Sequence, residues 1–122
     1  GVVNSGGLAD LAESRDVTAR SCLADIYDKL VGDISASRAR VLSDTSPAEM
    51  LPLGVRQISV NGHDDTIAPA VLGEGYTRRA KAAGDNADVV VVLNTGHVEL
   101  VSPGSEAWDI EVATLKSMLG VK

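Results

Sequence analysis

Two stretches of this chain have the residue types and spacing to move a proton: Asn61-Gly62-His63-Asp64-Asp65-Thr66-Ile67-Ala68-Pro69 and Asn94-Thr95-Gly96-His97. The first sets a carboxylate, Asp65, three residues past a glycine and four before a proline. The second sets an imidazole, His97, directly after a glycine. A carboxylate that faces one imidazole nitrogen fixes the tautomer and leaves the other nitrogen free to take a proton from a nucleophile. Each residue alone has an ordinary reading, Asp65 as a turn or helix-capping acid and His97 as a loop histidine. Their joint register with glycine and proline favours the pair. A metal reading of His63, Asp64, Asp65 and His97 requires consecutive residues to converge on one ion and matches no standard ligand spacing. Gly6-Gly7 lacks the patterns of a phosphate-binding loop. No metal and no cofactor is expected.

Both stretches need strands to end just before them. Val55 to Val60 reads as one short strand, with Gly62 after it, and Asp88 to Leu93 (Asp-Val-Val-Val-Val-Leu) as another. The second is a β-branched run without alternation, which predicts burial on both faces. Gly1-Val2-Val3-Asn4-Ser5-Gly6-Gly7 reads as the end of a third strand running into a glycine turn. Between them lie helical patterns. Asp16 to Leu30 carries Ala19, Leu23, Ile26, Tyr27 and Leu30 on one face and closes at Gly32. Asp33 is placed to cap a shorter helix with Ile34, Val41 and Leu42 that ends before Ser46-Pro47. Pro69 to Ala83 puts Leu72, Tyr76, Ala80 and Ala83 on one face, stopped by Gly84. After Ser102-Pro103, an N-cap and N1 pair, Trp108, Val112, Leu115 and Leu119 form the expected core stripe of a last helix closed by Gly120. Helices and strands in alternation predict an α/β architecture: three layers, with a short, mostly parallel sheet of about three strands flanked by helices. In such a sheet chemistry gathers at the carboxyl ends of the strands, where Asp65 and His97 fall.

Composition narrows the function classes. The chain has 122 residues, 44% of them apolar, with no Phe, one Trp and two Tyr. That is enough for a single domain spanning 1–122. A net charge of −6 speaks against a phosphate-backbone partner, and Arg38, Arg40, Arg78, Arg79 and Lys81 read as solvated helix surface, so no nucleic acid is expected. The lone Cys22 makes no internal disulfide and reads as a small buried thiol. No apolar run is long enough to span a membrane and no leader pattern opens the chain, which predicts a soluble protein, cytoplasmic rather than secreted.

Gly62, Asp65 and Pro69, then Gly96, His97 and Pro103, then Ser105, Ala107 and Trp108, resemble the closing part of the serine α/β-hydrolases, most closely the prolyl-oligopeptidase and dienelactone-hydrolase-like branch. Ser46-Pro47 is similar to the turn that precedes the acid-bearing strand in that family. The resemblance covers residues 46–120, and Gly1 to Leu11 is similar to the strand after the nucleophile helix. It implies Asp65 as triad acid, its neighbour Asp64 pointing elsewhere, and His97 as base, with residues 13–45 as a small helical cap. The family carries its nucleophile in G-x-S-x-G, and no such pentapeptide occurs here. Ser5 in Val3-Asn4-Ser5-Gly6-Gly7 is the nearest candidate; only four residues precede it and residues 8–50 offer no strand, so Ser5 is expected to be a turn residue.

The resulting expectation is the C-terminal half of a hydrolase of carboxylic esters or peptide-like amides, inactive alone. Its partner would be the missing N-terminal half, or a second copy paired along the strand of Val2 and Val3. The alternative is a non-catalytic dimerisation or binding module of the same half-fold.

Overall fold

In the computed structural model, which describes residues 1–122, the strands are β1 (Val2–Ser5), β2 (Gln57–Gly62) and β3 (Ala87–Val92). They run parallel in the order β1-β2-β3, with Val3 opposite Ile58 and Ile58 opposite Asp88. Helices α1 (Leu11–Thr18) and α2 (Ala24–Val31) follow β1, α3 (Ala70–Ala82) joins β2 to β3, and α4 (Glu106–Leu119) follows β3. The strand period of two divides β2 between its faces. Ile58 and Val60 pack with Val3, Val90, Val92, Leu100, Ala107, Ile110 and Met118 on the side of α4. Gln57 and Asn61 face α3: the Tyr76 hydroxyl donates to Gln57 Oε1 at 2.5 Å, and Asn61 lies where a Cβ on Gly73 would be. Helices therefore cover both faces of the sheet, as expected.

Burial of the strands reverses the expectation. β2, which reads Gln-Ile-Ser-Val-Asn-Gly, is buried throughout, whereas Val89, Val90 and Val91 of β3 are only half-buried and Leu93 is exposed. The cause is sheet order: β2 is central under both α3 and α4, and β3 is an edge. Polar groups on β2 are therefore held by specific partners or left without one. Both amide atoms of Asn61 lack a hydrogen-bond partner within the chain.

The helix expected over Asp16–Leu30 is broken at residues 19–23. The Thr18 hydroxyl donates to Arg15 O (2.9 Å) and the Ser21 hydroxyl to Thr18 O (3.0 Å), while Ser21 Oγ accepts from Leu23 N (3.1 Å). Such side-chain bonds compete with the helical ladder. Cys22 lies in the break and is exposed rather than buried. Ile26 and Leu30 are exposed as well, and the two helices are tied by the Tyr27 hydroxyl, which donates to Leu11 O at 2.5 Å.

Residues 33–45 do not form the expected second helix. Gly32 ends α2 at φ 75°, Ile34 is 74% exposed, Ser35 and Arg38 form an isolated antiparallel bridge, and the one helical piece is a 3₁₀ turn over Val41–Asp44. Arg38, expected on a helix, instead gathers the segment: it donates to Val31 O (2.7 Å), Val41 O (2.9 Å), Asp44 and Thr45 Oγ1 (2.7 Å).

The last helix starts later than Ser102-Pro103. Its N-cap is Ser105, whose Oγ accepts from Trp108 N (3.0 Å) and donates to Glu99 O (2.6 Å). The face turned to the sheet carries Ala107, Ile110, Glu111 and Met118, not the expected stripe. Trp108 and Val112 are half-buried, and Leu115 (46%) and Leu119 (74%) are exposed. At 100° per residue the two apolar arcs lie about a third of a turn apart, and small Ala107 lets its arc approach the sheet closely. α3 behaves as the spacing predicts at Tyr76 and Ala80, both buried, although Ala83 is exposed.

Candidate active site

The turn after β2 and the turn after β3 are fastened to each other through the backbone. His63 N donates to Val92 O (2.9 Å) and Asp64 N to Thr95 O (2.9 Å). This closeness depends on Gly62, since a Cβ there would overlap the carbonyl oxygen of Thr95 and lie 2.9 Å from that of Gly96. On the β3 side the chain reverses at Asn94 with φ 51°, a left-handed conformation that Asn tolerates better than most residues. Glu99 Oε2 accepts from Gly96 N (3.0 Å), holding the residue before His97.

Within that frame Asp65 is buried and fully partnered. Its Oδ1 accepts from Ile67 N (2.8 Å) and Ala68 N (2.9 Å), and its Oδ2 lies 2.7 Å from His97 Nδ1. An ionised carboxylate only accepts, so Nδ1 carries the proton and the lone pair sits on Nε2. Nε2 makes no hydrogen bond, and the His97 side chain is 38% exposed. The result is an imidazole fixed in ring orientation and tautomer with its basic nitrogen accessible. The sequence reading joined these two residues, and the structure brings them together.

The remaining candidates are placed elsewhere. Asp64 turns outward and its Oδ1 lies 2.7 Å from His63 Nδ1, both side chains well exposed. Ser5 ends β1 and is exposed, and no hydrogen bond links it to His97. It also lacks the geometry of a nucleophile elbow: the left-handed residue is Gly6 (φ 54°), Gly6 N is taken by Val60 O (2.8 Å), and α1 begins only at Leu11.

Three contributors were not assigned a role from sequence. Gly6 packs against the imidazole: a Cβ there would lie 3.2 Å from His97 Cε1 and 2.8 Å from Leu100 Cδ1. Its signal was the glycine turn itself. Asp85, in the Ala-Ala-Gly-Asp run after α3, is buried and accepts from Leu53 N (2.7 Å), Gly54 N (2.8 Å) and Gln57 Nε2 (3.0 Å). It pins the loop that leads into β2. Burial raises the pKa of the neighbouring Tyr76 hydroxyl, and the Asp85 charge adds to that shift. Arg79, read as solvated surface, pairs with buried Asp10 and with Glu49 (3.1 Å), tying α1 and the turn before β2 to α3. The Glu49 and Asp10 carboxylates raise its pKa. Arg40 and Lys81 pair with Glu49 and Asp88 at the surface.

No protein-family model matches the chain, and no curated protein sequence does. Solved structures do. The chain is similar to a puromycin hydrolase, 17% identical with a TM-score of 0.67 over 99% of this chain and 18% of that one. It is similar to carboxyl esterase 2 of Tuber melanosporum, 21% identical with a TM-score of 0.61 over 98% of this chain and 44% of that one. Esterase 2 of Thermogutta terrifontis matches at 16% identity and a TM-score of 0.56, over 70% of this chain. The chain spans 34% of the length of that esterase. Likeness at these identities is one of fold: the three parallel strands and their helices have the fold of the C-terminal part of an α/β-hydrolase. No helix is long and apolar enough to cross a membrane.

Proposed function

We propose that this chain supplies the acid–base pair of a serine α/β-hydrolase acting on carboxylic esters or peptide-like amides, and that the nucleophile comes from a separate segment. The observation that carries this reading is the buried Asp65 carboxylate bonded to His97 Nδ1 while Nε2 stays free at the ends of adjacent strands. In the proposed cycle, His97 Nε2 takes the proton of a serine hydroxyl as the oxygen attacks the substrate carbonyl. Asp65 stabilises the imidazolium, which then gives that proton to the departing alkoxide or amine. Water repeats the sequence on the acyl-enzyme, with His97 again as base. Residues 13–45 would act as a small cap, α-helical only as far as Val31.

The segment bearing the nucleophile is proposed to add to the free edge of β1. β1 pairs only with β2, and Val2 on it is 47% exposed, so its outer backbone groups are open to a further strand. The T. terrifontis esterase of similar fold is known phosphonylated by sarin, which recommends an organophosphorus probe. A fluorophosphonate is expected to leave the 122-residue chain unlabelled and to label a G-x-S-x-G serine when a complementing strand-and-elbow segment is present. Labelling there should fall steeply with His97→Ala. An adduct on Ser5 of this chain alone would overturn the separate-nucleophile reading. Failure of every complementing segment to label would favour a non-catalytic module.

A further inference from the structure

The apolar stripe on α4 that the sheet does not use is a surface without a partner. Trp108, Val112, Leu115 and Leu119 follow one another at spacings of four, three and four, the seam of a helix pair. The first two are half-buried against their own chain, whereas Leu115 (46%) and Leu119 (74%) are exposed. We infer that this stripe is where two copies of the chain pair, α4 against α4, antiparallel about a two-fold axis.

Register and charge both point to that occupant. With the axis midway between Val112 and Leu115, Val112 of one copy meets Leu115 of the other, and Trp108 meets Leu119. The whole stripe is thus self-complementary, as an isologous contact requires. Asp109 and Lys116 lie on one flank of the stripe, two helical turns apart, and neither forms an ion pair within the chain (the ion pairs of the molecule lie elsewhere). In the antiparallel register Lys116 falls about two residues, or about 3 Å, along the axis from Asp109 of the other copy, and symmetry forms that pair twice. A parallel arrangement would instead carry the Asp109–Lys116 flanks of the two copies to opposite sides of the seam and leave both charges without a partner. One helix of fourteen residues gives a smaller interface than the roughly 1,200 Å² of stable complexes, so the dimer should form in the micromolar range and dissociate on dilution. This inference does not rest on the proposed hydrolase role and survives its failure.

Sedimentation velocity on the 122-residue chain between about 1 and 200 µM tests it. The expected result is a concentration-dependent shift from monomer to dimer, with a blue shift of Trp108 emission, the only tryptophan. Leu115→Glu with Leu119→Glu should leave a folded monomer. A sharper pair of variants is Asp109→Lys and Lys116→Glu. Each alone faces like charges across the axis and should weaken association about tenfold, and an equimolar mixture should restore it as a heterodimer. These residues are exposed, so folding is not at stake. A chain that stays monomeric at 200 µM overturns the inference. So does a dimer indifferent to the α4 variants but abolished by Val3→Pro in β1, which would place self-association on the strand edge.

Discussion

The turns that carry Asp65 and His97 and the stretches on either side of α2, residues 19–23 and 32–45, are irregular connections, yet they are built by opposite means. The two turns are held backbone to backbone, His63 N to Val92 O and Asp64 N to Thr95 O, with Gly62 permitting the approach and Asp65 satisfying two amides as well as the imidazole. The other stretches are held by side chains reaching for backbone: Thr18 and Ser21 at the helix break, and Arg38 on the carbonyls of Val31 and Val41. A backbone lattice fixes atoms that a reaction needs to find in place. A side-chain clasp closes a loop and can open while the sheet stays folded.

The largest expected effect breaks the first kind of structure. Gly62→Ala puts a methyl group into the Thr95 carbonyl, and neither backbone can yield without parting the two turns. The cost should be about 3 kcal/mol, seen as a lower denaturation midpoint, and the His97 ring resonances should move toward those of a solvated histidine. Unchanged stability with unchanged His97 shifts would show that the turns do not depend on this contact. Arg38→Ala breaks the second kind. It should lower the denaturation midpoint less than Gly62→Ala does and raise hydrogen exchange across residues 31–45 while amides of β2 keep their protection. Exchange rising equally in β2 would mean that the clasp and the sheet are one cooperative unit.

That difference also explains what was legible in the sequence. Pro69, Gly96 and Gly120 mark requirements that act within a few residues, and Gly62 marks the close approach to Thr95, so the strand ends and the meeting of Asp65 with His97 could be read from the sequence. The break at Ser21, the clasp of Arg38 and the burial of a polar β2 depend on which neighbour each side chain reaches, and no local spacing encodes that. α4 shows the limit most plainly. Both of its apolar arcs are helix faces, and it is packing against the sheet, which small Ala107 lets approach closely, that covers Ala107, Ile110 and Met118 instead of Leu115 and Leu119.

A smaller effect sharpens the site itself. Asp65→Asn preserves an oxygen for Ile67 N and Ala68 N, so the turn should lose less than about 1.5 kcal/mol. The introduced amide nitrogen can only donate to His97 Nδ1, which drives the imidazole proton to Nε2 and removes the base. Nitrogen chemical shifts of His97 should report the exchanged tautomer, and any serine labelling in the complemented protein should fall by roughly four orders of magnitude. Labelling within tenfold of wild type would remove Asp65 from the role proposed for it.

The smallest effect belongs to the clasp and is a matter of pH. Hydrogen bonds from Arg38 and then from Thr45 lower the pKa of Asp44 from the ordinary 3.8 to about 2. A group lowered in the folded state contributes stability that is present above about pH 4 and is lost as the pH falls toward 2, because the unfolded chain takes up the proton first. Asp44 is exposed, so solvent screening keeps the contribution local and slight. Between pH 5 and pH 2, protection factors corrected for intrinsic exchange should therefore drop at residues 41–45 ahead of β2. Asp44→Asn should remove that local pH dependence while other carboxylates still titrate. If the drop persists in Asp44→Asn, the acid sensitivity lies elsewhere, and the Arg79 cluster becomes the place to look, since its partners Asp10 and Glu49 are carboxylates that tie the start of α1 and the turn before β2 to α3.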